Sequence, residues 1–308
     1  MLFSSILVHA SLAHPLVQPI RVWIDCDPAL GMLFRDADDG FALVQALHSP
    51  DLEIAGISIV RGNSEVADGL RIARRVVDTC GQTHRRKVPP IYAGQTSAAR
   101  SSAADALQTA LSRKLTYISL GPLGNLAEFL RNKPAEAKNI ERIIFLGGEW
   151  PEATFRAGGW NPYRFTDANF HKDPAAAQVV LASGIPIMFV PIDVARCIGL
   201  SANDMRMLRK STECPAYVVR QASGWFFNWR FFFGVREAPV FDALVLLAVT
   251  DPQNVETVAA NYHIVNQETT PRLLLSNSGS KTNHPKIIAV TSVSPAARAT
   301  WMERLAGP

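Results

Sequence analysis

Cysteine is scarce and scattered in this chain. Its four cysteines, Cys26, Cys80, Cys197 and Cys214, form no CxxC pair, and no histidines stand at zinc-finger spacing. That excludes a disulfide-stapled miniature domain and a structural zinc module, and it reads as reduced, mostly buried thiols of an intracellular protein. Long apolar runs are missing as well: outside the N-terminus no stretch reaches the roughly 18 uncharged apolar residues that a membrane-spanning helix needs. There is no acidic or basic tail, no internal repeat and no low-complexity segment. With 48% hydrophobic and 19% charged residues, the composition excludes a disordered chain and suits a buried core. The formal charge is only +4, and the one dense basic run, His84-Arg85-Arg86-Lys87 ahead of Pro89-Pro90, reads as a solvated loop. Nucleic-acid binding needs a broad basic face with many phosphate contacts, so neither nucleic acid nor a membrane is expected as a partner.

The first residues are apolar from Met1 to Ala13, and Ser11-Leu12-Ala13 resembles a small-residue cleavage site, but no basic n-region precedes the apolar stretch. Residues 1–20 therefore read as an N-terminal extension of a cytoplasmic enzyme rather than as a secretion signal. From Arg21 onward, β-branched runs alternate with amphipathic stretches. Strands are expected at Arg21–Ile24, Glu53–Val60, Pro90–Ala93, Thr116–Leu120, Arg142–Leu146 and Pro186–Ile192. Helices are expected at Asp39–His48, Glu65–Cys80, Ala103–Arg113, Gly124–Arg131 and Pro174–Ala182. Such alternation predicts an α/β fold with a single doubly wound, mainly parallel sheet flanked by helices, a Rossmann-like core. Beyond Arg196 the pattern loosens into helical segments that include the aromatic run Trp225 to Phe233. No linker sets this region apart, so residues 21–308 read as one catalytic domain.

The densest chemical signal is Asp25-Cys26-Asp27-Pro28 at the end of the first strand, followed by Asp36, Asp38 and Asp39 at the start of the first helix. Carboxylates this close cannot all be ionised in a cleft without a compensating cation. Strand alternation puts Asp25 and Asp27 on one side, and the following loop returns Asp38 and Asp39 to the same end of the sheet, where open α/β sheets bind ligands. Oxygen-only ligands select a hard cation, Ca²⁺ or Mg²⁺, over zinc. Each aspartate taken alone is also a good helix cap. Arg61-Gly62-Asn63 and Gly121-Pro122-Leu123-Gly124-Asn125 follow the second and fourth strands, where glycine lets backbone approach a ligand, though each is equally an ordinary turn. Asn169 and Asp242 each precede a helical stretch, where capping is the simpler role.

Together these motifs resemble the nucleoside hydrolase family, the inosine–uridine type of N-ribohydrolase, from Arg21 to about Leu305. The family opens on a strand ending in DxDPGxDDA, matched by Asp25-Cys26-Asp27-Pro28 and Asp38-Asp39-Gly40. The resemblance implies Asp27 as general base and metal ligand, Asp39 as metal ligand, and Asp38 as partner of the ribose and the nucleophilic water. It further implies Asn63 as a ribose ligand and the backbone carbonyl of Leu120, just before a GPLTN-like loop, as a ligand of calcium. Asp167-Ala168-Asn169 followed by Asp173-Pro174 resembles the family's E-x-N…D-P motif, implying ribose contacts from Asp167 and Asn169; Asn161 matches an upstream ribose-binding Asn more weakly. Asp242 resembles the last metal ligand. The implied activity is calcium-dependent hydrolysis of ribonucleosides to base and ribose, by a homodimer or homotetramer.

Two departures stand out. Ala29 to Ala37 makes a longer turn than the family's, so either the loop bulges outward and keeps the site, which the Asp38-Asp39 helix start favours, or Asp36 competes with Asp38. Phe241 stands where many members carry a His assigned to leaving-group protonation, and a ring there, with Trp225 and Trp229, could stack on a purine; aromatic runs at helical spacing are otherwise core or interface. Two other classes stay in play. Asp25-Cys26-Asp27 superficially fits an aspartate-nucleophile phosphatase of the haloacid dehalogenase type using Mg²⁺, against which the Pro after the second Asp counts. Phe241 fits a nucleoside-binding protein without turnover.

Overall fold

The computed structural model describes residues 18–81, 88–96, 101–152, 155–156, 164–267, 270–278 and 287–307. The apolar N-terminal stretch and Asn161 lie outside the described residues. In chain order the strands are β1 (Ile20–Cys26), β2 (Leu52–Ile59), β3 (Ile91–Ala93), β4 (Leu115–Ser119), β5 (Ile140–Leu146), β6 (Phe155–Arg156), β7 (Arg164–Phe165), β8 (Ile187–Val190), β9 (Gly199–Leu200), β10 (Ala238–Pro239), β11 (Val255–Gln267), β12 (Thr270–Asn277) and β13 (Ile287–Val293). The helices are α1 (Asp38–His48), α2 (Val66–Gly81), α3 (Ser102–Ala110), α4 (Gly124–Asn132), α5 (Ala168–Lys172), α6 (Pro174–Leu181), α7 (Ile192–Ala195), α8 (Ala202–Arg209), α9 (Glu213–Gln221), α10 (Ser223–Phe232), α11 (Phe241–Thr250) and α12 (Ala297–Ala306).

Nine strands make one sheet in the order β12-β11-β13-β8-β5-β4-β1-β2-β3. From β13 to β3 every neighbouring pair is parallel, and β11 and β12 add an antiparallel edge. Apolar alternation along β1 explains how the sheet is covered on both faces. Val22, Ile24 and Cys26 join one buried cluster with Leu43 of α1, Val76 of α2, Leu244 of α11 and Trp301 of α12. Trp23 points the other way, into a cluster with Leu107 of α3, Phe129 of α4 and Val180 of α6. The mainly parallel, doubly wound sheet is the architecture the alternation predicts, and the boundaries of β1 to β5, β8, α1 to α4 and α6 fall within a few residues of expectation, while the short β6, β7 and α5 were not expected.

The C-terminal region departs from it. Three strands, β11 to β13, stand where only helical segments were expected. In β11 and β12 polar and apolar residues mix because this hairpin edges the sheet, burying few residues such as Ala260, Leu273 and Leu275, whereas β13 lies inside the sheet and buries Ile287, Ala289 and Val290. A period-two pattern is diluted by that sharing of solvent and core. No described helix is long and apolar enough to cross a membrane.

The cysteines are mostly buried as expected, Cys26, Cys80 and Cys214 fully so, but the expectation that all are reduced is corrected. Cys80 at the end of α2 and Cys214 in α9 are joined in a disulfide, with Cα atoms 4.8 Å apart. The packing of α9 on α2 brings together residues 134 positions apart, within the range that a disulfide spans. Cys26 is free and buried, whereas Cys197 is free and exposed. Cysteine usage therefore gives no support to an intracellular compartment. Thiol titration of the unfolded, unreduced chain is expected to count two thiols and four after reduction; four in both states would remove the disulfide. Replacing Cys80 or Cys214 by serine is expected to lower stability, by at most ~5 kcal/mol for a loop of this length in the chain-entropy picture.

Candidate active site

The strand order reverses at β1, which has β2 on one side and β4 on the other. At such a switch point the chains leaving the two central strands diverge and open a crevice at the carboxyl end of the sheet. Asp27 leaves β1 there and Leu120 leaves β4 there. Asp25, one pleat earlier on the same face as Asp27, lies below the crevice and does not line it. Its carboxylate accepts from Ser58 Oγ at 2.5 Å and Asn125 Nδ2 at 2.8 Å, tying β2 and the start of α4 to β1. Burial pushes Asp25 up to about 7, offset in part by those hydrogen bonds.

A cavity of about 290 Å³ occupies the crevice, and Asp27, Asp36, Asp38, Asp39, Asp167 and Asp242 line it. Asp38 and Asp39 occupy the first turn of α1, and Asp242 the first turn of α11, so two helix N-termini aim their unsatisfied N–H groups at the acidic cluster. Carboxylate oxygens of Asp38, Asp39 and Asp242 all lie within 4.8 Å of one another, and all three residues are buried. Burial first, and then mutual repulsion, pushes all three well above the usual carboxylate range. Asp242 Oδ1 is buried with no hydrogen-bond partner. An orphaned carboxylate oxygen facing two more carboxylates is the donor set of a hard cation, so these residues fit a divalent metal.

Asp27 joins the cluster from the side. Asp39 Oδ1 accepts the Asp27 backbone N–H at 3.0 Å, and Asp27 Oδ2 accepts the Asn63 backbone N–H in a short hydrogen bond. Glycine is required around it: a Cβ on Gly62 would lie 2.0 Å from Asp27 Oδ2, and one on Gly121 2.8 Å from Oδ1. The two glycine turns thus close the backbone onto this carboxylate, which ordinary turns would not demand.

Asn63, Leu120 and Asn169 line the same cavity. Asn169 Nδ2 donates to the carbonyls of Leu120 at 2.7 Å and Leu146 at 3.0 Å, lacing α5 to the ends of β4 and β5. Asn63 Nδ2 donates to the Asp36 carbonyl. Asp167 lines the cavity too, and its carboxylate also serves the backbone. Its Oδ1 caps α5 by accepting from the N–H groups of Asn169 and Phe170, and its Oδ2 accepts from Gly148 N at 2.7 Å. Both oxygens thus accept from backbone, and burial pushes the group up to about 6. Behind it, Glu149 accepts the Asp167 N–H and pairs with Arg272 of β12 at 2.5 Å.

The long turn after β1 does bulge outward: Leu33 and Phe34 are 79% and 73% exposed, and Phe34 adopts a left-handed φ of 56°. Asp36 nevertheless turns back into the cavity, where it accepts from the Trp225 indole N–H, and burial pushes it up to about 6. The three aromatic candidates separate. Phe241 and Trp229 line the acidic cavity with Phe165, their ring centroids 6.2 Å (Trp229 to Phe241) and 5.2 Å (Phe165 to Trp229) apart. Trp225, pinned by Asp36, lines an adjoining aromatic cavity instead, with Phe34, Phe232 and Phe233. Lys172, in a stretch read only for its aspartates and asparagine, also enters the acidic cavity, its Nζ 3.4 Å from Asp27 Oδ2. No local signal marks it, since its partner lies 145 positions away.

Fold and site together define an α/β enzyme whose switch-point crevice, built from carboxylates and amides, can hold a hard cation beside a polyhydroxylated ligand. The chain belongs to the inosine-uridine preferring nucleoside hydrolase family, whose model matches residues 22–298, and it is a hydrolase acting on N-glycosyl bonds. That membership displaces the phosphatase alternative. Among its relatives, a pyrimidine-specific ribonucleoside hydrolase of Salmonella paratyphi B is 27% identical over 78% of this chain and 82% of its own length. A solved plant nucleoside hydrolase shares the fold with a TM-score of 0.77 at 22% identity, covering 94% of this chain and all of that one. A purine-preferring ribonucleoside hydrolase from Gardnerella vaginalis superposes with a TM-score of 0.76 at 20% identity, covering 93% and 98%.

The raised aspartates set a direction for stability. Unfolded aspartates lose their protons near 3.8, whereas folded Asp25 keeps its proton to about 7 and Asp38, Asp39 and Asp242 hold theirs well above the usual carboxylate range. Across that window the folded chain binds more protons than the unfolded one, so stability is fullest below it and falls as pH rises. The melting temperature of EDTA-treated protein is expected to drop between about pH 5 and pH 8, and excess divalent cation to raise it more at the higher pH. A flat pH profile in the absence of metal would contradict this account.

Proposed function

We propose that this protein hydrolyses the N-glycosidic bond of ribonucleosides with calcium as its cation, and that it leans toward purines. The observation that carries the reading is the convergence of Asp27, Asp38, Asp39 and Asp242 in one switch-point cavity, with the Asp242 Oδ1 left unpartnered. Asp27, Asp39, Asp242 and the Leu120 carbonyl are the ligands the family resemblance implies, and Asp38 stands close enough to share the ion. A bound calcium supplies the positive charge that lets these groups ionise together and lowers the pKa of water held beside them.

Cleavage of the C–N bond builds positive charge on the ribose, so the enzyme must fix the sugar, activate a water and ease departure of the base. Asp27 accepts the proton of the attacking water. Its orientation is set by the Asn63 N–H and by the backbone closing over it at Gly62 and Gly121. Asp38 orients the water and the ribose. Asn63 and Asn169 hold the sugar hydroxyls, with Asn161 as a further ribose contact; Asp167 serves by holding Asn169 in place. The carboxylates around the sugar oppose the charge developing at its anomeric carbon. The base lies against Phe165, Trp229 and Phe241. A flat apolar wall favours the larger purine ring by stacking, and Phe241 in place of a histidine leaves the base without that acid.

Large apolar side chains remain exposed beside this wall, at Phe34 of the long turn and Phe227, Phe231 and Phe232 of α10. Such a patch supports a homodimer or homotetramer, which light scattering is expected to register as a mass of two or four chains and which a purely monomeric mass would refute.

Purified protein given inosine, adenosine, guanosine, uridine or cytidine is expected to release ribose, to stop in EDTA and to resume with calcium. Asp27→Asn is expected to lower kcat by roughly 10²–10⁴-fold with the fold intact. Phe241→Ala is expected to raise KM for purine nucleosides more than for pyrimidine nucleosides. Absence of release from all five by folded, calcium-loaded protein would sink the reading.

A further inference from the structure

Six aspartates line the acidic cavity, and among its described lining residues the one basic side chain is Lys172. It is the last residue of α5, the short helix whose start is fixed by the Asp167 cap, and its ammonium reaches across to Asp27 Oδ2 at 3.4 Å. The Asp27 side chain is only 4% exposed and that of Lys172 30%, so the contact sits at the cavity wall, partly shielded from water. Asp27 Oδ2 also accepts the Asn63 N–H, so the ammonium and that N–H share one oxygen. Its field extends further, opposing the effect of burial on Asp36 and Asp39 as well as on Asp27.

A fixed ammonium inside a carboxylate cluster does two things. It neutralises one charge where a divalent cation has not done so, holding Asp27 in a defined orientation. It also repels any cation drawn to the same carboxylates, because two positive charges a few ångströms apart at a protein wall interact strongly. Folding could have placed an uncharged residue here at no cost to the α5 cap, since the cap is made by Asp167 and not by Lys172.

We propose that Lys172 is a positioning residue that holds Asp27 in the metal-free protein and competes with the divalent cation for the cluster, so that this chain's own ammonium sets its metal affinity. The proposal rests on the metal site of the functional reading above, and its experiment separates the two. Full-length protein stripped with EDTA and dialysed is titrated calorimetrically with calcium chloride, with folding followed by circular dichroism. Lys172→Met is expected to bind calcium roughly tenfold more tightly or better, a conservative figure given partial exposure to solvent. Lys172→Arg, which keeps the charge, is expected to return the affinity to near that of the wild type. Damage to the site would loosen binding, so the direction of the change distinguishes competition from a merely structural role. Should Lys172→Met not fold, Lys172→Gln carries the same expectation. Asp242→Asn serves as the reference and is expected to lose calcium binding. Unchanged or weaker affinity in Lys172→Met or Lys172→Gln, with Asp242→Asn defective, overturns the role of Lys172 and leaves the metal site standing. Wild-type affinity in Asp242→Asn overturns both.

Discussion

Like charges held together out of water dominate this molecule. Asp27, Asp36, Asp38, Asp39 and Asp242 meet in one cavity where burial alone holds their protons on and mutual repulsion adds to the effect. Such a cluster is stable only if the carboxyls stay protonated or a cation balances them. Local features ease that demand without removing it. The N-termini of α1 and α11 bring partial positive charge, the Asn63 N–H serves Asp27, and Lys172 contributes one full charge. The remaining imbalance makes a site for a divalent ion and ties stability, protonation and catalysis to the same few atoms.

The scaffold meets this demand by keeping flexible groups out of the cluster's support. Asp25 binds β1 to β2 and α4 from below, while Asn169 laces β4 and β5 to α5 from the side. Glu149 and Arg272 form a buried pair behind the cap of α5, so the antiparallel hairpin at the far edge of the sheet helps hold Asp167 and, through it, Asn169. An edge hairpin that looks peripheral in topology is thus mechanically connected to the crevice. On the opposite wall the outward-bulging turn returns Asp36 to Trp225, linking the long turn to the aromatic helix α10. One wall of the cavity is therefore polar and rigidly bonded and the other aromatic, a division suited to a ligand with a sugar at one end and a flat ring at the other.

Much of this was legible along the chain. Alternation of β-branched and amphipathic segments located β1 to β5 and β8 and helices α1 to α4 and α6, because hydrophobic period reports directly on which face an element buries; the short β6, β7 and α5 carried no such period. The aspartates at the end of β1 and start of α1 were recognisable because the turn between them must return to one sheet end, and the glycines at positions 62 and 121 because close backbone approach leaves a local mark. Signals carried by the order of residues over a dozen positions survive without knowledge of packing.

What the chain order did not determine depended on partners distant in sequence. Lys172 meets Asp27 across 145 positions, Trp225 meets Asp36 across 189, and Cys80 meets Cys214 across 134. Each residue has an ordinary local reading, as a helix-end lysine, a ring in an aromatic run and two isolated thiols, and only the packing of the helices around the sheet chose the other. Asp167 shows a similar limit: its motif implied a sugar ligand, and only the fold shows that its short side chain, at the cavity wall, also accepts from three backbone N–H groups. By itself the sequence determined six of the sheet's nine strands, β1 to β5 and β8, the carboxylate cluster and the family, which rest on local periodicity and spacing. Tertiary structure alone decided which ammonium and which ring stand beside that cluster and which two thiols pair, because such contacts are selected by the geometry of packed layers rather than by any neighbour in the chain.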